Sequence, residues 1–177
     1  MKVVGRIVLV LFVLVIVLFV VSRFMPSRYA VERTAVIAAS PDTLYQRLAT
    51  VRTWDRWSAW NSRRDPSIAY VYEGPETGAG GAMRWTSRKM GNGRLEVTSA
   101  EPAREVDYQL RMEGSDFVAH GRITLAPGPG GTRVTWRDDG DLGSNALYRL
   151  MGPLMDKMLG TAFEQSLSGL RADTKQG

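Results

Sequence analysis

The chain has no cysteine and only one histidine, His120, among its 177 residues. The first absence excludes disulfides, thiol nucleophiles and thiolate metal sites; the second leaves no pair of imidazoles for a zinc centre. Excess charge is scarce as well. Lys2, Arg6, Arg23 and Arg28 flank one apolar run, and from Tyr29 onward 19 basic residues stand against 18 acidic ones. A folded part this close to neutral lacks the concentrated basic surface that nucleic-acid binding requires, so no nucleic-acid partner is expected. No Gly-x-Ser-x-Gly elbow or Ser-x-x-Lys motif occurs, and "GAGGAM" lacks both the spacing and the following Lys-Ser/Thr of a phosphate loop. These residues predict no metal and no cofactor. There is no internal repeat and no low-complexity tract.

What the chain does have is a long hydrophobic run. "IVLVLFVLVIVLFVV", Ile7 to Val21, is unbroken, and counted from Val3 it is long enough to cross a hydrocarbon core as a helix. A cleaved secretory signal is the competing reading, with Lys2 and Arg6 as its positive end. The following "SRFMPSRYA" offers no small-x-small cleavage site and the run is long for a signal, so an uncleaved anchor over 3–22 is preferred. Lys2, Arg6 and the amino terminus nearly balance Arg23, Arg28 and Arg33 across it. We read the chain as a single-pass protein of a bacterial inner membrane with its domain on the outer face.

Residues 23–29 read as a linker, 30–172 as one domain and 173–177 as a tail. "AVERTAVIA", 30–38, is rich in β-branched residues and predicts a strand. In "SPDTLYQRLATV", Ser40 suits an N-cap, Pro41 the first helical position and Asp42 the positive helix end, while Leu44, Tyr45, Leu48 and Val51 share one face. From 68 to 137 the period is two: Tyr70 and Tyr72, Met83 and Trp85, Leu95 and Val97, and Val106 to Met112 alternate with polar residues. The pattern gives an antiparallel meander of six to seven strands with one apolar face to cover. Its cover is a C-terminal amphipathic helix bearing Leu154, Met155, Met158, Leu159, Ala162, Phe163, Leu167 and Leu170, which Pro153 is expected to open after a shorter helical piece around Asn145 to Met151.

This order, with "ASPDTLYQRLATVRTWDRWSAW", "YEGPETGAGGAMRW", "GTRVTWRDDGDLG" and "LMGPLMDKMLGTAFEQSLSGL", resembles the START-like (SRPBCC) superfamily and most closely its polyketide cyclase/dehydrase-type branch. The resemblance implies an α+β helix-grip fold: a curved antiparallel sheet wrapped around a long C-terminal helix, here preceded by one transmembrane helix. It also implies an apolar cavity between sheet and helix for a lipid, polyketide or other hydrophobic molecule.

The candidate lining is Trp60 from the tryptophan segment at one end, Met83, Trp85, Tyr108, Leu110, Phe117, Ala119 and Trp136 from the sheet, and Met155, Met158, Leu159, Ala162 and Phe163 from the helix. If the two faces close completely they make a plain core; if the sheet curves away they make a cavity, and small residues at Ala119, Gly121 and Ala162 leave volume for one. Trp54, Trp57 and Trp60 recur every third residue, which favours packing at a helical corner for the first two and a lining role for Trp60. His120 alternates onto the outer face with Val118 and Arg122, away from any cavity. Asp138, Asp139 and Asp141 in "RDDGDLG" read as solvated turn and cap residues. No catalytic residue is assigned.

Three functions fit. The first is a membrane-anchored binding domain for a hydrophobic small molecule or lipid. The second is a cyclase, dehydratase or isomerase acting on a polyketide-like or other hydrophobic substrate, with Tyr108, Tyr70 or Arg84 as its polar groups. The third is a ligand-free interaction module.

Overall fold

The Ser40 hydroxyl accepts the Thr43 amide at 3.2 Å, and Pro41 stands in the first turn behind it. The cap opens α2 (Pro41–Ala49), whose Leu44, Tyr45 and Leu48 are buried. The computed structural model describes residues 2–143 and 146–175. Before α2 come α1 (Lys2–Phe24) and β1 (Arg28–Ile37); after it a 3-10 turn (Val51–Thr53) leads into α3 (Trp54–Trp57). Strands β2 (Ala69–Glu73), β3 (Ala82–Thr86), β4 (Gly93–Glu101), β5 (Glu105–Met112), β6 (Val118–Gly128) and β7 (Gly131–Asp141) follow, and α4 (Ala146–Asp173) closes the chain. Gln176 and Gly177 of the expected tail lie outside the described residues.

α1 is long and apolar enough to cross a membrane over Val3–Phe24, and its apolar side chains are exposed. Met25, Pro26 and Ser27 alone separate it from β1.

All seven strands form one antiparallel sheet in the order β1-β7-β6-β5-β4-β3-β2. A register shift between Val97 and Ser99 breaks the β4–β5 ladder, and such a bulge bends its strand and increases the local twist. α4 lies against that face with Phe163, Leu167 and Leu170 buried. This is the helix-grip fold.

The sequence pattern fails at two boundaries. α4 does not begin at Pro153: it is helical from Ala146 and carries Pro153 inside. The proline removes one i→i−4 hydrogen bond, but the helix continues on both sides of it. Asn145, where the shorter piece was expected to start, lies outside the described residues. β7 also continues to Asp141, so "RDDGD" is strand and not turn.

Close packing of α4 rests on two glycines. A Cβ on Gly169 would fall 2.1 Å from the backbone carbonyl oxygen of Trp57, whereas the nearest atoms to one on Gly160 belong to the guanidinium of Arg33. Backbone cannot yield as a long side chain can. Gly169→Ala is therefore expected to lower stability by about 1–3 kcal/mol, the usual cost of overpacking. Gly160→Ala should cost less, and urea melts of the two variants side by side check the order.

Candidate ligand-binding site

The tryptophan segment builds the closed end of the sheet–helix interface. Trp54 donates its indole N–H to the Leu48 carbonyl at 2.9 Å, which fixes the corner between α2 and α3. Trp54 and Trp57 are buried and lie 5.0 Å apart. Trp54 meets Trp136 and Tyr108 edge-on at 5.8 and 5.5 Å, and Trp136 stacks on Phe163 at 4.5 Å with an interplanar angle of 10°. Trp60 is half-buried at the border of this cluster, 6.1 Å from Phe163. At this end the sheet and helix faces meet and fill.

The next row of the sheet holds a polar network that composition concealed. Asp138 follows Val134 and Trp136 onto the inner face, where it is 5 % exposed. Tyr29 donates to one carboxylate oxygen at 2.8 Å and Tyr108 to the other at 2.9 Å, while the Trp136 indole N–H donates to the Tyr108 oxygen at 2.9 Å. Solvated turn residue was thus the wrong reading for Asp138. Burial pushes its carboxyl up to about 6, against the two phenol hydrogen bonds that favour the charged form. Both phenols are held well above their ordinary value, chiefly by burial and then by the Asp138 charge.

Three aromatic rings lie over glycines on the strand beside them. Tyr108 pairs with Gly121, Tyr29 with Gly140 and Trp85 with Gly93. A Cβ on these glycines would fall 1.8, 2.8 and 2.4 Å from the respective rings. The volume expected at Gly121 is therefore taken by Tyr108, not left free.

Toward the end of the sheet where β1 begins, cover thins. One inner-face row runs Tyr29, Gly140, Ala119, Leu110, Leu95, Met83, Tyr72 across all seven strands. Leu110 and Tyr72 of that row are only half-buried, as are Phe117, Met112 and Tyr70 beside it and Met155 and Leu159 on α4. Of the candidate lining residues, Met83, Trp85, Tyr108, Ala119, Trp136 and Phe163 are buried, and Trp60, Leu110, Phe117, Met155, Leu159 and Ala162 are half-buried. Met158 is misplaced by the sequence pattern: it is 54 % exposed, because Met155, Leu159 and Phe163 already fill the helix face turned to the sheet.

Two other candidates, His120 and Arg84, fall outside this region. His120 is exposed on the outer face, beside a surface depression shared with Asp107, Arg122, Arg137 and Asp139. Arg84 also points outward, pairing with Glu73 at 3.4 Å, so it cannot supply a polar group to the interior. Tyr70 donates to the Trp60 carbonyl at 3.0 Å. Among the described residues no group of three or more His, Asp or Glu side chains is placed to hold a metal ion.

Comparison with known proteins agrees with this architecture. Residues 28–174 match the family described as polyketide cyclase / dehydrase and lipid transport. Among solved structures, protein CV1439 from Chromobacterium violaceum superposes with a TM-score of 0.60 at 15% identity, over 81% of this chain and 96% of its own. Ara h 8.0201 gives 0.60 at 14%, over 85% and 99%, and a Rhodobacter sphaeroides protein 0.59 at 20%, over 84% and 93%. At such identities the likeness is one of fold. No curated protein matches the chain in sequence.

Proposed function

Because the chain belongs to the polyketide cyclase / dehydrase and lipid transport family, we propose that it holds a hydrophobic small molecule or lipid between the sheet and α4 while α1 keeps it at a membrane. The observation that carries this reading is the partial exposure of Leu110 and Phe117 and of Met155 and Leu159 on α4, beside a row whose other members except Tyr72 are buried. Partly exposed apolar side chains with few polar groups among them are what a hydrophobic ligand needs. The deeper aromatic cluster gives the wall a rigid floor.

Filling the trough tests it. Leu110→Trp in the full chain, reconstituted in lipid nanodiscs, is expected to weaken uptake of a fluorescent fatty-acid probe on the order of tenfold, the effect of 1.4 kcal/mol. Its thermal stability should stay close to that of the parent. A fully packed site would instead show an overpacking cost of about 1–3 kcal/mol and no uptake in the parent, the outcome that favours a ligand-free interaction module.

A second reading has one specific observation behind it. Asp138 and Tyr108 form a buried acid–base pair in the inner-face row next to that of Leu110, and a carboxyl pushed up to about 6 is suited to proton transfer near neutrality. In a cyclase or dehydratase of this kind, the parent would convert a bound hydrophobic substrate. Asp138→Asn would bind the same substrate and return it unchanged.

A further inference from the structure

We propose that the first half of α4 docks into the interfacial layer of the bilayer that α1 enters, so that the half-covered end of the sheet opens toward lipid. The inference rests on α1 being a membrane anchor and goes beyond it to a second contact. Three residues connect Phe24 to Arg28, so the start of β1 stands at most about 15 Å from the end of α1. That connection is tied to the domain: the Leu142 amide donates to the Ser27 carbonyl at 2.6 Å, and α1 and α4 are in contact. A membrane holding α1 therefore lies against α4.

The α4 surface suits such a neighbour. Leu154 and Met158, one turn apart, are 52 % and 54 % exposed, and Phe24 at the end of α1 is 86 % exposed. Exposed large apolar side chains on two helices that touch are the kind of surface a bilayer contacts. The charges agree with an anionic lipid partner. From Ala146 to Phe163 the one acidic residue is Asp156, whose carboxylate is engaged by Arg33 at 2.9 Å, while Lys157 is exposed and Arg23 and Arg28 flank the connection. An apolar stripe with basic neighbours lies in the headgroup boundary and does not span it.

The absence of cysteine makes the test clean. Met158→Cys and, at the far end of β7, Arg133→Cys are each labelled with an environment-sensitive fluorophore in the full chain. The proteins are then reconstituted in vesicles of equimolar phosphatidylcholine and phosphatidylglycerol. A blue-shifted emission at position 158, quenched by lipids carrying a headgroup nitroxide, with water-like emission at 133, is the expected result. Water-like emission at both positions from protein that floats with the vesicles overturns the docking and leaves the anchor standing. Protein that fails to float overturns both.

Discussion

Phe163→Ala is expected to lower the free energy of unfolding by about 3–5 kcal/mol, the range for truncating a fully buried aromatic. Phe163 is 1 % exposed and stacks on Trp136 at 4.5 Å, with the edge of Trp60 at 6.1 Å. Removing the ring opens a void between α4 and the sheet at the point where the two are most tightly joined. Neighbouring tryptophans held by their own hydrogen bonds cannot collapse into it: Trp136 donates to Tyr108, and Trp54 to Leu48. Denaturant melts give the number. A loss below 1 kcal/mol would mean that the closed end of the interface is not closed.

Asp138 gives the second large effect, and its sign is opposite to that of most carboxylates. Its carboxyl is pushed from 3.8 to about 6 in the folded chain, so between those values the folded state binds more protons than the unfolded one. Its contribution is fully favourable below about pH 4 and is lost as pH rises through about 6. A displacement of that size corresponds to roughly 3 kcal/mol. Asp65 and Asp156, held low by hydrogen bonds from Ser67 and Ser87 and from Arg33, act in the other direction, losing stability as pH falls. The difference between parent and Asp138→Asn cancels them. That variant should gain on the parent by roughly 2 kcal/mol between pH 4 and pH 7. Parallel pH profiles for the two proteins would show that the Tyr29–Asp138–Tyr108 network does not hold its carboxylate away from water.

The helix-grip fold was legible because its signals are periodic. Alternation from Ile68 to Trp136 placed the sheet's inner face, the i, i+3, i+4 pattern placed Phe163, and Ser40-Pro41 placed a helix start that the structure reproduces. The site was less legible, for two physical reasons. Composition made "RDDGD" look like a turn, although Val134, Trp136, Asp138 and Gly140 continue one alternation and could have extended β7 to Asp141. Volume does not follow from residue size either: Gly121 is small, and the Tyr108 ring from the partner strand covers it. Met158 shows the same limit on a helix. Its apolar character and helical spacing put it on the packed face, yet it lies 54 % exposed.

Identifying what travels with the intact protein tests the binding reading most directly. The full chain would be taken from the cells that express it in polymer-bounded lipid discs, and native mass spectrometry would measure the folded domain with whatever it retains. The proposed function predicts a stoichiometric hydrophobic molecule that Leu110→Trp releases. A parent protein that carries none, and that also takes up no added fatty acid, would contradict it.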